Sequence, residues 1–263
     1  MTSPCDTPIT SDVECEVDGP VATIALNRPS VRNAQRPAMW AAMAQFLASL
    51  DDAVRIVVVR GNGGTFSAGL DLALLDPAQV DQEGSLVAIV QKSDQEIVDQ
   101  IGDYQQAFAL LADPKFISIA AVNGHAIGAG FQLALACDQR IATEDAQFCM
   151  KEPALGLVPD LGGTKPLVEA VGYGRALEIC ASARMVKAAE AHCIGLVQSV
   201  VPPHALDDAV TAAVRSLTAH GPSAVRAIKA LLQQAPHRGS EEQRLGERMA
   251  QVDQLRELAT RHR

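Results

Sequence analysis

Short apolar runs that end at glycine or proline alternate with helical patterns through about residue 200, and past Pro202-Pro203 only the helical period remains. That succession restricts the chain to an α/β core with a helical tail. Residues 13–17 and 21–26 alternate apolar and polar positions around Asp18-Gly19-Pro20, the pattern of a hairpin. Residues 37–50 are rich in Ala and Met at helical spacing, with Pro37 suited to a first helical turn. Residues 54–59 and 116–122 are apolar almost throughout, as strands covered on both faces are. Further helices are expected over 130–137, 163–171 and 175–180, and short strands over 140–143 and 146–150. Residues 77–105 carry Asp81, Glu83, Asp94, Glu96 and Asp99, which predicts one or two surface helices and a mobile segment. Helical periodicity then fills 205–220, 222–234 and 240–260. The expected division is a disordered leader over 1–11, a core over 12–201 and a helical oligomerisation region over 202–263.

Composition excludes several classes of function. The chain of 263 residues is 48% hydrophobic but only 3% aromatic, so Ala, Val, Leu and Ile must build its core. A net charge of -9 with no basic stripe argues against nucleic acid as a partner. No run of ~18 apolar residues offers a membrane span, and no apolar signal segment opens the sequence. Cys5, Cys15, Cys137, Cys149, Cys180 and Cys193 form no C-x-x-C and no zinc-like spacing with His. Reduced thiols, no bound metal and a cytoplasmic location are expected.

Chemistry concentrates in three segments. Two Gly/Ala-rich loops, FSAGLDL at 66–72 and NGHAIGAG at 123–130, can bring backbone N–H groups close to a ligand. The segment 148–164 adds two carboxylates, Glu152 and Asp160, on a stretch broken by Gly and Pro. Two N–H donors beside carboxylates make a place to hold a developing oxyanion while protons move. The glycines do not follow G-x-G-x-x-G, and Thr164 precedes Lys165 rather than following it, so neither nucleotide motif is met.

Taken together, LNRP at 26–29, FSAGLDL at 66–72, AAVNGHAIGAG at 120–130, LALACD at 133–138, AQF at 146–148 and LGLVPDLGGT at 155–164 resemble the crotonase superfamily, the enoyl-CoA hydratases and isomerases. The resemblance implies a crotonase-like spiral of β-β-α units in two roughly perpendicular sheets. It also implies a C-terminal α-helical region that builds a homotrimer or a dimer of trimers. The implied substrate is an acyl-CoA thioester, with coenzyme A part of the substrate and no separate cofactor. Its carbonyl oxygen would sit between the N–H groups of Leu70 and Ala129, with Gly128 opening the helix behind the second. Substrate contacts carried over from the family are Ala68, at the adenine edge, and Asp71, Arg28 and Lys229. Arg28 and Lys229 are equally readable as ordinary surface cations, and His125 as a packing residue.

The resemblance also bears on the reaction. Two-Glu hydratases of the family place acids at the positions of Glu152 and residue 132, and this chain has Gln132. One carboxylate suffices to take a proton from a thioester's α-carbon and return it farther along the chain, so the departure favours an isomerase. Gln132 reads either as a wall of the pocket or as a group orienting Glu152. Dienoyl-CoA isomerases resemble this chain in pairing a Glu with an Asp eight residues on, here Asp160, and depart from it in carrying an Asp where this chain has Gln132. That Asp is read either as a proton carrier or as a cap for the helix near Gly163. The expected activity is therefore an enoyl- or dienoyl-CoA isomerase. The alternatives are an enoyl-CoA hydratase and a weakly active acyl-CoA-binding trimer.

Overall fold

The computed structural model describes residues 11–79 and 85–261. Residues 1–10 of the leader expected over 1–11, and the part of the expected mobile segment that falls on 80–84, lie outside the described residues. The chain begins with the antiparallel pair β1 (Val13–Asp18) and β2 (Val21–Leu26). Glu14, Glu16 and Asp18 make β1 a charged edge, which discourages pairing with another chain. Helix α1 (Pro37–Ser49) follows, with Pro37 in its first turn and Met39, Trp40, Met43 and Leu47 turned inward. Next come β3 (Ile56–Gly61), α2 (Leu86–Ile89) and α3 (Asp94–Leu111). The last starts at a capping box in which Ser93 and Glu96 satisfy each other's backbone N–H groups. Trp40 of α1 packs on Tyr104 and Phe108 of α3, with ring centroids 5.1 and 6.1 Å away.

Then the chain repeats a spiral turn. β4 (Ile117–Val122) joins the large sheet, and β5 (His125–Ile127) steps into a small one, followed by α4 (Ala129–Ala136). β6 (Gln139–Thr143) returns to the large sheet and β7 (Gln147–Cys149) to the small one, before α5 (Thr164–Val171) and α6 (Tyr173–Ser182). β8 (Val186–Lys187), α7 (Ala188–Cys193) and β9 (Ser199–Val201) close the core. The large sheet runs β1-β2-β3-β4-β6-β9, parallel after the first pair, and the small one β5-β7-β8. Single parallel bridges, Ser67 to Ala126 and Gln35 to Leu70, carry the small sheet's row back through the earlier turns. This is the expected spiral of two sheets. Sequence periodicity missed α7 and the two-residue β8, whose lengths are too short to show a period.

The β-branched run of β3 has a reason on each face. Val57 and Val59 enter the main core, while Ile56 and Val58 pack under α8 (Leu206–Thr218) with Val210, Val214 and Leu217. α9 (Pro222–Gln234) and α10 (Ser240–Arg261) complete the chain. α4 is buried along nearly its whole length, consistent with a sequence apolar all round. Arg140, itself buried, donates to the carbonyls of Ala134 and Cys137 at its C-terminal end and to that of Leu196. A cation there complements the helix dipole and leaves the N-terminus of α4 aimed at the candidate site.

Candidate active site

The first glycine loop is shaped by the segment before α1. Buried Asn33 donates to the carbonyls of Asn62 and Thr65, at 2.9 and 2.7 Å, and so grips the chain leaving β3. The N–H of Ala68 donates to Arg32, that of Gln35 to Gly69, and that of Asp71 to Gln35. These bonds surround Leu70 and leave its own N–H with no acceptor among the described residues. Ser67 secures the loop from below. Its hydroxyl donates to the Asn33 carbonyl and accepts from Gly69 N–H and from Gln35, whose amide oxygen takes the indole N–H of Trp40.

Gly69 has φ +90°, and a Cβ there would stand 2.5 Å from the Ile127 carbonyl oxygen and 3.5 Å from the Ala129 nitrogen. Only glycine allows the two loops to approach so closely. Gly128, at φ +50°, donates its N–H to Cys149 and lies where α4 begins, so the Ala129 N–H is one of the unpaired donors of a helix start. Leu70 and Ala129 thus bring free backbone donors to neighbouring points, with the positive end of α4 behind them.

Glu152 follows β7 in a short 3-10 turn and is 8% exposed. Its carboxylate covers Gly128, since a Cβ built there would be 3.4 Å from Oε1 and 3.7 Å from Oε2. Oε1 accepts a 2.6 Å hydrogen bond from Gln132, and Oε2 is buried with no partner among the described residues. Burial holds this carboxyl above the usual range for Glu, and the neighbouring Asp160 charge adds to the shift while the Gln132 donor opposes it. Burial also raises Asp160. Its alternative reading as a helix cap is corrected here: α5 starts after Gly163 with no side-chain cap, because the 161–163 backbone turns its N–H groups toward Gln132 instead.

The remaining sequence candidates divide. Ala68 and Asp71 belong to the first loop, and Arg28 reaches it through Asp71. The Ala68 N–H is committed to Arg32, so its carbonyl is the group left for a ligand. Arg28 donates to the Ala34 carbonyl at 2.6 Å and to Asp71 at 2.8 Å, with Asp12 at 3.6 Å. Two carboxylates offset its charge, which weakens what it could offer a phosphate. Burial pushes Asp71 up, but Arg28 and the Ala73 N–H outweigh it and hold the carboxyl below the usual range. Lys229 is a correction. It is buried, and its ammonium donates to the carbonyls of Asp113 and Phe116 and to the Asp138 carboxylate, all at 2.7–2.8 Å. Three bonds use its three protons, and Asp138 stands beyond the far end of α4 from Ala129. It fastens α9 to the core and is not free to hold a phosphate. Sequence reasoning passed over Asn33 and Gln35, which belong to no motif it singled out, and over the role of Ser67 within FSAGLDL.

A family profile for enoyl-CoA hydratase/isomerase matches residues 16–261. A protein of Thermobifida fusca YX assigned as an enoyl-CoA hydratase and solved in complex with CoA is 48% identical, superposes with a TM-score of 0.89 and covers 95% of both chains. The 2,3-dehydroadipyl-CoA hydratase of Escherichia coli is 32% identical over 82% of this chain and 79% of its own. The peroxisomal Delta(3,5)-Delta(2,4)-dienoyl-CoA isomerase of Arabidopsis thaliana is 33% identical over 82% of this chain and 78% of its own. The chain belongs to the enoyl-CoA hydratase/isomerase family, the crotonase superfamily of acyl-CoA-processing enzymes.

Proposed function

We propose that this enzyme shifts a carbon–carbon double bond in an enoyl- or dienoyl-CoA. The observation that carries the reading is the chemistry around Glu152: a desolvated carboxylate with one unpartnered oxygen, an amide rather than a second acid at Gln132, and a second raised carboxyl at Asp160. In this mechanism the thioester oxygen rests between the N–H groups of Leu70 and Ala129. Glu152 takes a proton from C2, the C–H electron pair moves into the thioester, and the enolate oxygen gains charge. Two preorganised donors lower that barrier, each one being worth about 3–4 kcal/mol in comparable sites. Collapse of the enolate moves the double bond into conjugation and takes a proton at the far carbon. A 3-enoyl-CoA receives at C4 the proton that Glu152 took, whereas a 3,5-dienoyl-CoA receives one at C6 from protonated Asp160, after which Glu152 loses its proton to solvent and Asp160 regains one. Coenzyme A enters only as part of the substrate, and no metal takes part in this scheme.

Hydration of a 2-enoyl-CoA is the second reading, favoured by the hydratase named among the relatives and by the second acid at Asp160. The two separate on a panel of 2-enoyl-, 3-enoyl- and 3,5-dienoyl-CoA given to the pure protein. The isomerase reading expects consumption of the 3-enoyl or dienoyl thioester without formation of a 3-hydroxyacyl product. Rapid hydration of the 2-enoyl thioester alone would overturn it.

The enzyme is further proposed to assemble as a homotrimer. In its support, Leu245, Met249, Val252, Leu255 and Leu258 recur along α10 about half exposed, an apolar stripe that a second copy would cover.

A further inference from the structure

Gln132 is 1% exposed, yet its side chain is an amide with no proton to give or take in catalysis. Its hydrogen bonds show what it does hold. The amide oxygen accepts the N–H of Leu161 at 2.9 Å and that of Gly163 at 3.2 Å. Two main-chain donors fix which end of the amide is oxygen, since a flipped amide would set its NH2 against both. The NH2 end therefore faces Glu152, and its 2.6 Å bond to Oε1 is a donation. A proton cannot sit on Oε1 along that bond, so the free oxygen is Oε2, the buried and unpartnered one.

The same amide reaches Asp160. The Leu161 N–H belongs to the peptide unit whose carbonyl is that of Asp160, and this carbonyl accepts a 2.5 Å bond from Gln105 of α3. The peptide next to Asp160 is thus gripped at both ends by glutamine amides. Packing enforces the arrangement, because a Cβ on Gly163 would stand 2.7 Å from Cγ of Gln132.

We propose that Gln132 is a positioning residue that sets the working geometry of both acids: it occupies Oε1 of Glu152 so that proton transfer runs through Oε2, and it fixes the Asp160–Leu161 peptide so that the two carboxyls keep one separation. The proposal rests on the reading of Glu152 and Asp160 as the proton carriers. The amide donates to Oε1 whatever the pH, whereas an acid at position 132 would do so only while it shares a proton with Glu152.

Two variants and two readouts test it. Gln132→Met keeps the volume and removes every hydrogen bond. Gln132→Glu keeps the acceptor for Leu161 and Gly163 but loses the donor. The pH profile of kcat/KM is measured on the thioester that the wild type isomerises, and the Glu152 carboxyl is titrated by 13C NMR, its signal assigned with Glu152→Gln. For Gln132→Met, kcat should fall ~10-fold or more with KM within about threefold, and both the acid limb and the Glu152 titration should move to higher pH. For Gln132→Glu, a shared proton should restore a donor to Oε1 near neutrality and add an alkaline decline where that proton leaves. If Gln132→Met fails to fold, the alkaline decline in Gln132→Glu decides alone. A folded Gln132→Met with the wild-type acid limb and titration overturns the proposal, whatever its kcat. The NMR titration needs no turnover, so a wild type inactive on every thioester would overturn the functional reading while the titration still judges Gln132.

Discussion

At Glu152 the needs of the reaction and of the fold pull apart. A carboxylate kept in an apolar setting is a stronger base than one in water, but its ionised form is poorly solvated there. Glu152→Gln should therefore lower turnover ~10²-fold or more while leaving CoA affinity nearly unchanged. The same change should affect stability with a definite sign. Because folding raises this pKa, the folded state binds the proton more tightly than the unfolded state. Stability from this group is complete below the unfolded value and is lost as pH rises through the folded one. Glu152→Gln should then melt above the wild type at pH 8, with the difference shrinking toward pH 4; a constant difference across that range in calorimetry would contradict the burial. Gly69 gives a second test at this scale. Gly69→Ala would drive a Cβ to 2.5 Å from the Ile127 carbonyl at a φ that L-residues avoid, so the loops must part. Turnover should drop by ~10²–10³, as for a lost oxyanion donor, with substrate binding far less affected. Much of this site was legible beforehand, because glycine spacing and carboxylates are chemically specific. Gln132 was legible as a departure with two open roles, a wall of the pocket or a group orienting Glu152, and its hold on the 161–163 backbone was not, since spacing cannot show where an amide points.

Elements place these groups, and their reliability follows from how local their causes are. α1 was read from its helical spacing and β3 and β4 from unbroken apolar runs, and the faces of each match what they pack against. β8 and α7 were not, since tertiary contacts rather than pattern define them. Lys229 shows the same limit on α9. Its sequence context resembles a phosphate contact, whereas its position makes it a tie between α9, the turn before β4 and Asp138. Breaking a buried, hydrogen-bonded ion pair by removing one partner costs about 3–5 kcal/mol. Lys229→Met should accordingly lower the melting temperature by several degrees, while KM for the thioester in the folded enzyme stays within about twofold. A large rise in KM with unchanged melting would restore the lysine as a CoA contact.

For the whole molecule, the spiral puts every acid and donor of the site within one chain, and the tail leaves apolar surface uncovered. Besides the α10 stripe, a cleft of about 1190 Å³ lies between the core and α9, lined in part by Phe108, Leu135, Leu161, Ile228 and Leu232. The cover proposed for this surface is a second copy of the chain. Light scattering at micromolar concentration should give three times the chain mass of 27.7 kDa, or six, and Met249→Glu with Leu255→Glu should shift it downward. The central claim is that Glu152 and Asp160 are separate proton carriers at the two ends of a shifting diene. It is tested most directly by turning over a 3,5-dienoyl-CoA in D2O and locating the label by NMR. The expected result is a 2,4-dienoyl product carrying solvent deuterium at C6 from the first turnovers, lost together with turnover in Asp160→Asn. A product whose newly added C6 hydrogen is protium carried over from C2, or one hydroxylated at C3, would contradict it.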